Sequence, residues 1–291
     1  MTRVGFGSNE NKFHYVPQIK TLPGRLVLVS GPSGVGKGTL INKMFEDKDV
    51  KGSVDKVLSL TTRDPRPSEL PASTITMRNR ILKLHEWAKS WGINLPYIRL
   101  FKSQQYEYVT KDHFQTLAAK NQLFQSASYD GNFYGSRTSE VVNKLKRGIN
   151  VLFELASKDA LQIKQSYPDK VTTVFIAPPT SSEGLPETAS KLDMELNTLR
   201  GRLVKRGTNS EASIQERLEK AKAELALEPQ FDVVIVNEDN QEEVGTAKLK
   251  AIATQGNAAP RFSGLSLKVN LSQDSTGASR SPSTRPTQLL G

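Results

Sequence analysis

Residues 26–41 read LVLVSGPSGVGKGTLI. The first four are apolar and the run ends on a small polar residue before glycine, which predicts a short buried strand. Gly31, Gly34 and Gly36 let the backbone turn with its N–H groups pointing inward. A helical pattern follows at once, KGTLINKMFED over 37–47. Inward N–H groups next to a helix N-terminus form an anion site. Lys37 heads that helix, where its ammonium reaches the distal phosphates of a bound nucleotide.

Outward from this stretch, apolar runs alternate with helical patterns. KVLSL (56–60), NVLFEL (150–155), TTVFIA (172–177) and FDVVIVN (231–237) are strand-like, and 123–136 is extended. Helical spacing marks 111–120, 139–148, 194–207, 213–226 and 241–254. Strands apolar on both faces, alternating with helices, predict an α/β fold with a parallel sheet covered by helices.

The 291 residues suffice for one large domain or two ordinary ones, and 36% hydrophobic with 24% charged is a soluble globular composition. The absence of cysteine excludes disulfides, thiolate metal sites and cysteine nucleophiles. His14, His85 and His113 lack ligand spacing, so no zinc site is expected. No apolar run approaches the ~18 residues of a membrane span. The first twenty residues have neither the apolar centre of a secretory signal nor the arginines of a transit peptide. The expected location is cytoplasmic, with no membrane partner.

The net charge is +10. Its excess lies in three places: a leader (1–24), a segment over 70–104 and a tail (257–291). That distribution reads as solvated additions around a neutral domain, so no nucleic-acid partner is expected. The tail is rich in Ser, Thr, Pro and Gly and is expected to be disordered.

A second cluster, SLTTRDPRPSE (59–69), sets Arg63 and Arg66 three apart in a proline-bounded loop. Paired guanidinium N–H groups suit a phosphate monoester dianion. Taken alone, such a cluster is equally an ordinary basic turn.

The chain resembles the guanylate kinases. In the glycine-rich loop, Gly38 follows the lysine and Thr39 comes next, where the strict pattern has Ser or Thr at once. That GKGT form is familiar from nucleoside-monophosphate kinases. The 59–69 string resembles the GMP-binding signature, with Ser59 at the base and Arg63 and Arg66 at the phosphate. QYEYVTKDHF (105–114) resembles a segment that supplies a phosphate-binding tyrosine, here Tyr106. LFQSASYDGNFYGS (123–136) matches FxEWAxxxGNxYGT/S without a gap, which puts Gln125 and Ser136 at the guanine and Tyr134 at the phosphate. LRGRLVKRGTNSEASIQERL (199–218) resembles the lid, whose Arg202, Arg206 and Arg217 would close on the ATP phosphates. In FDVVIVN, Asn237 would approach the adenine.

The resemblance covers about 25–255 and implies a five-stranded parallel core, a small GMP-binding subdomain and a helical lid. Residues 25–256 form that domain, with insertions at 70–104 and 181–194, a leader at 1–24 and a tail at 257–291. ATP would lie on Gly31, Pro32, Ser33, Gly34, Val35, Gly36, Lys37, Gly38 and Thr39. Mg2+ would come with it, with no direct protein ligand and Thr39 touching a metal-bound water. Catalysis would fall to Lys37, Arg63, Arg202, Arg206 and Arg217.

Three departures stand out. The base-reading glutamate is Gln125, and an amide has one acceptor oxygen where a carboxylate has two. In the ELASKD stretch Glu154 remains, but the next acid is Ala156. The 70–104 segment replaces a short connection and carries Ile81, Leu84, Ala88 and Trp91 at helical spacing. The function these features imply is ATP-dependent phosphorylation of GMP. A non-catalytic binding module of the same fold, or a kinase for another phosphorylated acceptor, stays open at this stage. So does the oligomeric state.

Overall fold

The computed structural model describes residues 12–65, 69, 72–93, 101–102, 106–129, 131–205 and 210–255. Two sheets organise them. The larger body is built on five parallel strands: β2 (Leu26–Ser30), β3 (Val54–Lys56), β9 (Asn150–Glu154), β10 (Val171–Ala177) and β11 (Val233–Val236), in the spatial order β11-β10-β2-β9-β3. β2 is central, and all five of its residues are buried. α1 (Lys37–Glu46), α4 (Thr138–Lys146), α5 (Ser157–Ser166) and α8 (Glu242–Thr254) pack around this sheet. Each large side chain fully buried there, Phe175 among them, contributes about 1.5–3 kcal/mol of hydrophobic stabilisation.

The second sheet has six strands in the order β1-β7-β8-β4-β6-β5. They are β1 (Lys12–Phe13), β4 (Ser59–Thr61), β5 (Phe101–Lys102), β6 (Tyr106–Tyr108), β7 (Leu123–Tyr129) and β8 (Asn132–Arg137). Only β4 and β6 run parallel; the other neighbours are antiparallel. α3 (Lys111–Ala119) covers one face, where Leu60, Val109, Phe114, Leu117 and Leu123 form a small separate core. Two helices, α6 (Lys191–Lys205) and α7 (Glu211–Leu225), pack on each other.

The elements follow the sequence pattern closely, and four differences bear on the site. KVLSL is not one strand. Its first residue ends β3, and its last two lie in β4 of the other sheet, so this short run crosses between the two bodies. α2 (Ala72–Ser90) forms in the 70–104 segment, but its apolar positions are divided. Ala88 is buried, whereas Leu84 and Trp91 are 53% and 71% exposed. The leader departs from the solvated addition expected of it, because residues 12–24 fold onto the body and bury Val16 and Ile19. Of the 181–194 segment, the last four residues already belong to α6. The tail from 257 lies outside the described residues.

Candidate active site

The glycine-rich turn joins β2 to α1. Gly31 takes φ of 135°, and a Cβ there would meet the Ile176 carbonyl oxygen at 2.3 Å. Gly36 takes φ of 96°, and a Cβ there would meet Asn237 Nδ2 at 2.5 Å. Both positions therefore demand glycine for conformation and for space. Gly36 caps α1 without a side-chain bond, and the first turn holds no acid. That leaves the positive end of the helix dipole available to an anion. Lys37 Nζ donates to the carbonyls of Gly31 (2.6 Å) and Pro32 (3.1 Å), which holds the ammonium over the turn.

The lid helices reach this loop. Arg217 on α7 donates to Ser33 Oγ at 2.8 Å. Arg202 on α6 donates to the Val35 carbonyl (3.1 Å), the Asn237 carbonyl (2.7 Å) and Asp239 Oδ1 (2.7 Å). Asn237 donates from Nδ2 to the Val35 carbonyl at 2.8 Å, and its buried Oδ1 finds no hydrogen-bond partner among the described residues. Arg206 lies outside them. The sequence reading missed two acids here. Asp239 holds Arg202, and Glu224 on α7 has its carboxyl pushed up by burial while Lys37 pulls it down. Glu224 is thus within electrostatic reach of the loop lysine.

The second group of residues sits on the face of the six-stranded sheet opposite α3. Cross-strand register places Gln125 opposite Ser136 and Ser59 opposite Tyr106, with Leu60 opposite Gly135 between them. Side chains directly opposite share a face, so these four form one polar row across β7, β8, β4 and β6. Gln125 Nε2 donates to Ser136 Oγ at 3.4 Å. Two residues along the strands, the same face carries Tyr134 and Tyr108. The Tyr106 ring lies 6.2 Å from that of Tyr134.

Arg63 leaves β4 toward this face. Its guanidinium forms a fork with Glu69, at 2.8 and 3.0 Å, and stands 5.4 Å from the centre of the Tyr106 ring. Tyr108 Oη also donates to Glu69, at 2.9 Å. The Glu69 carboxylate pushes the Arg63 guanidinium pKa further up, so Arg63 is a fixed cation. Glu69 and Tyr108 orient it. The signal for both was present in sequence, an acid six residues after the arginine and a tyrosine two residues after Tyr106. Arg66 lies outside the described residues.

Glu154, exposed at the carboxyl end of β9, connects the two groups. Lys56 on β3 has its ammonium pKa pulled down by burial, with Glu154 opposing that effect. Tyr106, raised chiefly by burial, also feels Glu154. The polar face is therefore within electrostatic reach of the carboxyl end of β9, the neighbour of β2. Ala156, just beyond, is the N-cap of α5 in an extended conformation, with no side-chain bond. Asp at such a position gains about 0.5–2 kcal/mol over Ala. Ala156→Asp is expected to raise the melting temperature by a few degrees in calorimetry at pH 7, and an unchanged or lower value would count against this cap geometry.

Among the described residues there is no group of three or more His, Cys, Asp or Glu able to hold a metal ion, and no helix long and apolar enough to cross a membrane. The family model for guanylate kinase matches residues 98–255, more than half of this 291-residue chain. The chain is 34% identical over 215 residues to the guanylate kinase of Lactococcus lactis subsp. lactis (strain IL1403), covering 74% of this chain and 80% of that one. Against the guanylate kinase of Bacillus subtilis (strain 168), identity is 32% over 244 residues, covering 82% and 95%. Against that of Synechococcus sp. (strain JA-3-3Ab), it is 35% over 228 residues, covering 78% and 81%. By the family model over more than half of its length and by these relatives, this chain belongs to the guanylate kinase family.

Proposed function

We infer that this chain transfers the γ-phosphoryl group of ATP to the phosphate of GMP, giving ADP and GDP. The observation that carries this reading is the pair of unlike anion sites, with Glu154 beside the end of β2 and within electrostatic reach of the second. One is a backbone cradle with a lysine. The other is a fixed, forked arginine beside tyrosines, at the end of a polar row suited to a base edge.

ATP lies along Gly31 to Thr39. Asn237 Oδ1, a buried acceptor without a partner among the described residues, suits the amino group of adenine. The exposed Thr39 hydroxyl in the first turn of α1, with no acidic cage among the described residues, fits Mg2+ held mainly by nucleotide phosphates and water. When bound, the metal neutralises charge on the β- and γ-phosphate oxygens. Arg63, Tyr106 and Tyr134 hold the GMP phosphate. Arg66, which follows in the same signature, joins them. Gln125, Ser136 and Ser59 read the base, and Glu154 closes the acceptor side.

The GMP phosphate is largely ionised at neutral pH, so it attacks in line without a general base. Catalysis is positioning plus charge stabilisation. Lys37, Arg202, Arg206 and Arg217 surround the transferring group. Arg202 and Arg217 already touch the loop, so the lid closes by small adjustments that exclude water. The cysteine-free chain suits a reducing, cytosolic setting.

The test is ADP formation from ATP and magnesium with GMP, dGMP, AMP, UMP and CMP as acceptors. GMP is expected to give the highest kcat/KM. Turnover with a different acceptor and none with GMP would overturn the assignment. Gln125→Glu is expected to raise the preference for GMP over AMP by roughly ten-fold or more, since a charged acceptor for guanine N1–H and N2–H is worth ~1.5–3 kcal/mol. An unchanged ratio would remove Gln125 from the base site.

A further inference from the structure

Residues 12–24 take no part in the chemistry above, yet they join the two sheets. β1 adds to the free edge of β7, with Phe13 opposite Gln125 and Lys12 opposite Ser126. The His14 N–H donates to the Phe124 carbonyl at 2.9 Å. The chain then leaves the acceptor sheet and is gripped by Tyr167, at the end of α5. The Val16 N–H donates to Tyr167 Oη at 2.6 Å, and that hydroxyl is 3.2 Å from the Val16 carbonyl, to which it donates in turn.

The rings complete the junction. Phe13 meets Phe124 edge-on at 5.3 Å and Tyr167 edge-on at 5.7 Å. Tyr15 stacks on Tyr167 at 5.3 Å. Phe124 in turn stacks on Phe153 of β9 at 5.6 Å. Tyr167 is 1% exposed, and burial pushes its phenol up to about 12, so it stays a neutral donor. Within a few residues the leader holds the strand of Gln125 by its backbone and the parallel core by its side chains.

We propose that residues 13–16, clamped by Tyr167, are a positioning strap that fixes β7 at Gln125 and so sets how tightly the base of the acceptor is read. The strap touches no nucleotide, and this inference rests on the acceptor reading of Gln125. The groups assigned to the acceptor phosphate lie on other strands: Tyr134 on β8, Arg63 after β4 and Tyr106 on β6. β1 touches none of these strands in the sheet order. Loosening the strap therefore disturbs base reading and leaves phosphate reading alone, a split that a general loss of stability does not produce.

The experiment uses the full chain with Phe13→Ala, Phe13→Leu and Tyr167→Phe. Two quantities are read in the turnover assay: KM for GMP, and the inhibition constant of ribose 5-phosphate, which carries the phosphate ester without a base. Phe13→Ala is expected to raise KM for GMP about tenfold, the scale of a small misplacement at a positioned group. The ribose 5-phosphate constant, KM for ATP and kcat should each stay within about twofold. Phe13→Leu, which restores most of the bulk, should recover much of the loss.

If Phe13→Ala does not fold, Tyr167→Phe carries the test. It keeps the ring, removes the hydroxyl clamp and should shift KM for GMP in the same direction. Parallel weakening of GMP and ribose 5-phosphate, or no change in either, would overturn the strap. A wild-type protein that holds GMP no better than ribose 5-phosphate would instead remove the base-reading assignment beneath it.

Discussion

Lys37→Ala is expected to lower kcat for GMP phosphorylation by about 100- to 1000-fold, the loss of ~3–4 kcal/mol seen when one preorganised charge facing a transition state is removed. The ammonium sits over the turn on two carbonyls, those of Gly31 and Pro32. Both residues are buried, so removing it leaves two acceptors short of a donor, and the melting temperature should fall by a few degrees while kcat falls by orders of magnitude. The separation is checkable by comparing kcat with the melting temperature. A variant with normal melting and near-normal kcat would exclude Lys37 from the transferring group.

The same substitution has a pH consequence through Glu224. Burial raises the folded pKa of this carboxyl above its ordinary value, and Lys37 partly opposes that. A carboxyl with a raised folded pKa binds its proton more tightly in the fold than in the unfolded chain. Its contribution to stability is therefore present at low pH and lost as pH rises through the folded pKa. Without Lys37 the raising effect is larger. Melting temperatures at pH 4.5 and pH 7.5 should move further in the unfavourable direction for Lys37→Ala than for the wild type. An equal change in both proteins would show that the two groups are not coupled.

Much of this arrangement was legible in sequence because local rules and global fold agree. The β2–turn–α1 stretch carries a strand pattern, obligatory glycines and a helix start within 26–41, and each signal needs only near neighbours. Four of the five parallel strands read correctly because burial on both faces leaves an unbroken apolar run, as at TTVFIA; β3, only three residues long with Asp55 at its centre, did not. The strap did not read at all. A two-residue strand has no period, and its anchor Tyr167 is 151 positions away from Val16. Glu69 and Tyr108 stood close in sequence to Arg63 and Tyr106, yet their roles went unread. Asp239 and Glu224 were missed because each lies far along the chain from the cation it meets. Their chemistry is ordinary for exposed residues, and only the fold brings each one against a functional cation. α2 shows the converse limit. Helical spacing identified the helix, but spacing cannot say which side of it the body covers, and Ala88 rather than Leu84 or Trp91 faces inward.

The assignment of the acceptor site to Arg63 makes a second large prediction. Glu69 occupies one edge of the guanidinium through two bonds, and Tyr106 faces its plane. A planar fork can hold that carboxylate and still present N–H groups to a phosphate dianion. A lysine ammonium is a compact point charge on a flexible stem and cannot do both in fixed geometry. Arg63→Lys keeps the charge but forfeits a charge-assisted bond worth ~1.5–3 kcal/mol. KM for GMP is therefore expected to rise by about 10- to 150-fold at ~1.4 kcal/mol per decade, with KM for ATP unchanged. Glu69→Gln tests the orienting half of the argument. It removes the negative charge and one of the fork's two acceptors but leaves the Arg63 guanidinium itself intact, so it should weaken GMP less than Arg63→Lys does. If Arg63→Lys leaves KM for GMP within twofold, charge alone suffices and the forked geometry plays no part in holding the acceptor. If KM for ATP rises instead, the arginine serves the donor, and the two anion sites have been assigned the wrong way round.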